Sequence, residues 1–171
     1  IIAMLTFPLV TVQPQSPIKI LSSNVAWEMF EPHVRRNWDL RRTTINVWDT
    51  FITHLFREDA DIVALQEIPE TRYTDLNNFS KDYGYTCITC RSTSEGMATL
   101  YRSQQVGQHN SVECNKYERG RPWMRVVFDN FTFVNLHAFH RGGVKRRLAP
   151  FLSEQTTNTP HILAGDFNHD M

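Results

Sequence analysis

Cysteine is scarce and odd in number: three in 171 residues. That excludes the disulfide framework of a small secreted scaffold, and Cys87-Ile88-Thr89-Cys90 has no second pair with which to complete a zinc site. All three cysteines read as ordinary strand residues. Net charge is also missing, because 18 basic residues balance 18 acidic ones, so no strongly positive body draws nucleic acid by its overall field. Only local clusters of arginine remain: Arg35, Arg36, Arg41 and Arg42; then Arg119, Arg121 and Arg125; then Arg141, Arg146 and Arg147 with Lys145. Each cluster by itself reads as a solvated face. No apolar run is long enough to span a bilayer; Ile1 to Val10 is too short and reads as an extended segment rather than the remnant of a signal core. Repeats and low-complexity tracts are absent as well.

What is present suffices for one core. With 41% of residues hydrophobic and 12% aromatic, residues 1–171 are expected to form a single domain, of which 1–16 is an N-terminal extension. Ile18 to Val25 has the short apolar-rich look of a strand. From Asn37 to Glu58 apolar residues recur mostly three or four apart (Trp38, Ile45, Trp48, Phe51, Ile52, Leu55, Phe56), which predicts an amphipathic helix. Asp61 to Gln66 reads as a buried strand, and Thr71 to Asp82 as a second helix that stops before Gly84. The period then changes: Tyr85–Cys90, Met97–Tyr101, Gln105–Val112, Met124–Asp129 and Phe131–Leu136 are predicted as strands, with Asp129-Asn130 as a tight hairpin turn. Val144 to Glu154 is expected to be helical, and His161 to Ala164 to be a last buried strand. Meandering strands in the middle, with helical connections towards the ends, suggest an α/β sandwich of face-to-face sheets with helices outside.

Four of these apolar strands end in a polar side chain suited to catalysis: Asn24, Glu67, His137, and the pair Asp166 and Asn168. Alone, each has a plain alternative as a turn former, a solvated acid or a structural histidine. Together they suggest one cleft at strand ends. Asp166 and Asn168 lie two apart in extended chain and would face the same side, while Gly165 would leave room for a ligand. Oxygen donors of this kind suit Mg²⁺ or Mn²⁺, and a nearby histidine can serve a phosphate oxygen.

The motifs resemble those of the endonuclease/exonuclease/phosphatase superfamily, the DNase I-like fold. Ile20 to Val25 is similar to its first strand with the asparagine, Asp61 to Glu67 to its leucine-glutamine-glutamate motif, and Gly96 to Tyr101 to the strand after its variable loop. Asn135-Leu136-His137 is similar to its asparagine-x-histidine strand end, and Ile162 to Asn168 to its glycine-aspartate-x-asparagine motif, all in the family's order. The resemblance implies a four-layered α/β sandwich of two packed sheets flanked by helices. It implies that Glu67 binds the metal, that Asn24 helps hold metal or phosphate, and that Asp166, with Asn168 beside it, orients the attacking water. His137 would stabilise the phosphate or act as acid, and Arg121, in Gly120-Arg121-Pro122, resembles the family's substrate-phosphate arginine, with a solvated loop arginine as the plain alternative.

Two departures narrow the expectation. Ala26 stands where apurinic-site endonucleases carry an acidic residue, and His169-Asp170 stands where inositol-polyphosphate phosphatases carry Tyr-Arg. The family's serine-aspartate-histidine motif is not reached before Met171, so the sandwich is expected to be incomplete at its C-terminal side, with an exposed sheet edge that a protein partner could complete. The implied function is Mg²⁺-dependent phosphodiester hydrolysis with DNA or RNA as the favoured substrate. The alternatives are a catalytically degenerate binding or assembly module, or a phosphodiesterase acting on a small or lipid phosphoester. Trp27, Tyr117 or Trp123 beside the cleft would favour a polynucleotide. No membrane span is expected, and the compartment is left open with a lean towards the cell interior.

Overall fold

The computed structural model describes residues 17–25, 47–91, 96–116, 121–138 and 159–167. One sheet contains β1 (Ile20–Asn24), β2 (Ile62–Ile68), β3 (Thr86–Cys90) and β4 (Gly96–Tyr101), in the order β1-β2-β4-β3. The other contains β5 (His109–Lys116), β6 (Pro122–Phe128), β7 (Thr132–His137) and β8 (His161–Asp166), in sequence order. Each sheet is mixed: β1 runs parallel to β2 and β7 parallel to β8, while the remaining pairs are antiparallel. The helices are α1 (Val47–Arg57), α2 (Tyr73–Asp82), entered through a 3-10 turn at Glu70–Arg72, and the single turn α3 (Ser103–Val106).

Strand alternation divides the core. Ile62 and Ala64 of β2 face the second sheet and pack with Met97, Tyr101, Met124, Val126, Phe128 and Phe133. Val63 and Leu65 turn the other way, with Ala98 and Leu100, under Trp48, Ile52, Leu55 and Phe56 of α1 and Leu76 of α2. Covered on both faces, β2 must be a continuous apolar run rather than an alternating one. In α1 the buried residues follow the spacing i, i+4, i+7, i+8, one stripe of a helix. Each such side chain stabilises the layer by roughly 1.5–3 kcal/mol. Trp123, Val134, Leu136 and Ala138 form a third apolar cluster on the outer face of the second sheet.

The predicted sandwich is therefore observed, with helices on the outer face of the first sheet. Residues 37–46 of the first predicted helix, and the helix expected over Val144–Glu154, lie outside the described residues. One expected element is different. The strand predicted over Gln105–Val112 is instead the short α3 followed by β5 from His109 to Lys116. Val106 packs into the inter-sheet core from that helical turn, while β5 is an edge strand with a mostly exposed sequence and so little apolar pattern to mark it. The turn at Asp129-Asn130 is as expected, with the Phe128 N–H donating to the Phe131 carbonyl at 2.9 Å and the two rings stacked. Among the described residues no helix is long and apolar enough to cross a membrane.

Registers define a row across each sheet. Asn24, Gln66, Met97 and Cys90 lie side by side in the first. Ala164, Asn135, Met124 and Cys114 do so in the second.

Candidate active site

The two rows meet through a buried polar tie. The Gln66 amide donates to Asn135 Oδ1 at 2.7 Å, and Asn135 Nδ2 donates to the Ala98 carbonyl at 2.9 Å and the Leu65 carbonyl at 3.3 Å. Both side chains are fully buried, where an unpaired amide would cost about 1–3 kcal/mol, so the pair sets how the sheets seat against each other.

Just beyond this layer four strand ends deliver their side chains. By simple alternation Glu67 would follow Val63 and Leu65 onto the helix-covered face. Instead the register slips between Gln66 and Ile68, and Glu67 takes a left-handed conformation, φ 56°. A bulge of this kind re-aims a side chain, at a backbone cost of roughly 1–3 kcal/mol for a non-glycine residue. Gly96 lies opposite Ile68, where a Cβ would come within 2.8 Å of the Ile68 carbonyl oxygen and 1.6 Å of Tyr73 Oη. On β7, His137 follows Asn135 on the inward face by plain alternation, and on β8 Asp166 follows Ala164. Gly165 is different from expectation. Its open side is filled by the neighbouring strand and not left for a ligand: a Cβ there would sit 1.9 Å from the Leu136 carbonyl oxygen, and its φ is 147°.

The side chains converge. Asn24 Nδ2 donates to both carboxylates, at 3.1 Å to Glu67 Oε1 and 2.7 Å to Asp166 Oδ2. His137 Nε2 lies 3.3 Å from Glu67 Oε1 and 3.9 Å from Asp166 Oδ2, and its ring is wholly buried. Arg121, just ahead of β6, brings Nη1 within 2.9 Å and 3.1 Å of the two ring nitrogens of His137 and 3.8 Å of Glu67 Oε1. Five of the six predicted site residues are thus brought together, and the sixth, Asn168, lies outside the described residues. Gln66 and Asn135 stood within recognised motifs but had been given no role; their signal was a polar side chain inside an otherwise apolar strand, two before a site residue in the case of Asn135.

Glu67, His137 and Asp166 each offer one ligand atom, and these atoms lie within 4.8 Å of one another. Two carboxylates that close repel each other, an effect that Asn24 and Arg121 offset here and that a cation between them would reverse. The donor set, two carboxylates with one imidazole and a neutral amide alongside, fits Mg²⁺ or Mn²⁺ and is unlike a thiolate site for softer metals.

The sequence profile described as the endonuclease/exonuclease/phosphatase family matches residues 35–171. The chain belongs to that family. No curated protein sequence matches it. Solved structures of similar fold include ANGEL2, a 2′,3′-cyclic phosphatase, with TM-score 0.68, 17% identity, and coverage of 88% of this chain and 52% of that one. TDP2 of D. rerio, complexed with single-strand DNA product, has TM-score 0.61 at 16% identity, with coverage of 90% and 62%. A mannosyl-6-phosphatase of Bacteroides thetaiotaomicron has TM-score 0.62 at 20% identity, with coverage of 91% and 67%. The present endonuclease/exonuclease/phosphatase chain spans about half the length of ANGEL2. At such identities the likeness is one of fold, and these relatives by their own descriptions are bound to, or act on, different phosphate compounds.

Trp123 is turned to the outer face of its sheet, buried with Val134 and Leu136, and does not line the cleft of this family member. Trp27 and Tyr117 lie outside the described residues.

Proposed function

We propose that the chain hydrolyses phosphodiester bonds with the aid of a bound Mg²⁺ or Mn²⁺, and that its substrate is a nucleic acid. One observation carries the reading: Asn24 bridges Glu67 and Asp166 directly beside the Nε2 of His137, joining three strand ends from two sheets. Glu67 would hold the cation, with Asn24 fixing its carboxylate. A divalent cation bound there would draw charge from the non-bridging phosphate oxygens.

The residues of the chain supply the rest. Asp166 orients the attacking water and accepts its proton as the new P–O bond forms and the ester P–O bond breaks. Asn168, two residues on, would assist the same water. His137 donates to a phosphate or leaving oxygen, and its burial against Arg121 keeps bulk water from that proton. Arg121, one-fifth exposed, binds the substrate phosphate through its N–H groups.

A second reading, hydrolysis of a small phosphoester, is favoured by one fact: Trp123, the only described member of the anticipated stacking trio, is buried away from the cleft. The test is hydrolysis assayed in Mg²⁺ and in EDTA with single-stranded oligonucleotide, duplex and a small aryl phosphodiester. The expected result is EDTA-sensitive cleavage of an oligonucleotide. Turnover of the small ester alone would replace the nucleic-acid reading with the second one, and turnover of none would make the chain a binding module.

A further inference from the structure

The row that holds the Gln66–Asn135 tie ends, on the side away from β1 and β8, in two cysteines. Cys90 neighbours Met97 on the edge strand β3, and Cys114 neighbours Met124 on the edge strand β5. Met97 and Met124 pack in the same inter-sheet core, so both cysteines point into the gap between the sheets at one level. Cys90 is buried there and belongs to that core, whereas Cys114 is exposed at the rim. The two thiols are near enough to shift one another's ionisation. Cys87 is set apart. Three residues before Cys90, it faces the helices of the opposite side.

We propose that Cys90 and Cys114 are a redox modification site, closed by hydrogen peroxide into a disulfide that staples the two sheets at their open edges. In the first step the Cys114 thiolate attacks one peroxide oxygen; the O–O bond breaks, the second oxygen leaves as water after protonation, and Cys114 becomes a sulfenic acid. In the second step the Cys90 sulfur attacks the Cys114 sulfur, forming the S–S bond and releasing the sulfenic oxygen, with the Cys90 proton, as water. Two thiols and one peroxide give one disulfide and two waters. The roles follow from the surroundings: Cys114 is the thiol exposed to a small oxidant, and the neighbouring Cys90 lowers it. The interaction with Cys114 and burial raise Cys90, while burial lifts Cys87 to about 11 and leaves it unreactive.

The site is independent of phosphoester hydrolysis and is tested on the whole chain without an activity assay. The chain is treated with peroxide, remaining thiols are alkylated, and a digest is mapped without reduction. The expected product is one intrachain Cys90–Cys114 cross-link, reversed by dithiothreitol, with Cys87 alkylated throughout and the Tm raised by roughly 5–10 °C. Recovery of Cys114 as sulfinic acid with Cys90 still alkylated would overturn it, as would cross-links confined to Cys87 or to dimers. In Cys90→Ser, Cys114 is expected to be trapped as sulfenic acid by a dione probe. In Cys114→Ser, oxidation at Cys90 is expected to slow at least about tenfold, and an unchanged rate there would also overturn the proposal.

Discussion

At the end of β2 the register slips and a non-glycine residue takes positive φ to deliver its carboxylate, whereas β7 and β8 deliver His137 and Asp166 in unbroken register, with the one positive φ falling on Gly165. The difference lies in what each strand must bury. β2 is covered on both faces, and its odd positions already belong to the helix side, so only a bulge with positive φ can send Glu67 to the cleft. In β7 and β8 the inward positions already lead to the cleft, and the constraint falls instead on the pairing of the two strands, where Gly165 lets the Leu136 carbonyl close in. One half of the site is held by local strain and the other by a close pairing of strands. The two halves should therefore fail differently.

The largest effect is expected when either carboxylate loses its charge. Glu67→Gln and Asp166→Asn should each lower kcat for Mg²⁺-dependent hydrolysis by about 10³-fold or more, equivalent to about 4 kcal/mol of transition-state stabilisation, with little change in Tm. A variant that keeps its turnover would remove that carboxylate from the proposed chemistry. Gly165→Ala should instead damage the fold, because its Cβ meets backbone and its φ suits no L-residue. A loss of about 3 kcal/mol or more is expected in urea unfolding, and a loss below 1 kcal/mol would mean that the β7–β8 pairing is loose.

Asn135→Leu probes the layer beneath both halves. It strands the Gln66 amide and the Ala98 carbonyl in the core, and about 2–3 kcal/mol of stability should be lost. Activity at a temperature where the variant is folded should also fall, since the seating of the two sheets shifts; full activity would show that the tie is structural only. The smallest effect on stability sharpens the comparison most. Glu67→Gly should abolish hydrolysis yet raise stability by about 1 kcal/mol, by relieving the left-handed backbone and the repulsion from Asp166. A destabilised variant would mean that Glu67 is held by its contacts and not strained by its backbone.

Much of this was legible in the residues. Apolar runs marked the strands of the core, and the polar side chains that terminate them marked where the cleft would be. β5 was misplaced at its start because an exposed edge strand carries almost no hydrophobic period, and Val106, the apolar residue that suggested strand, packs inward from a helical turn. Gly165 was recognised as special but for the wrong neighbour, since the motif cannot say whether a ligand or a strand fills the space beside a glycine. The bulge at Glu67 left no mark, because a slipped register is a property of a strand pair.

The sequence by itself determined the strand content, the helix stripe of α1, the family motifs and the order in which the candidate side chains appear. Only the tertiary structure decided that Asn24 bridges two acids 43 and 142 residues away, that Gln66 and Asn135 tie the sheets, and that two cysteines face one gap at the opposite edge. Pattern along a chain records which faces must avoid water. Distances between strands depend on registers and on sheet packing, which arise only when the faces are brought together.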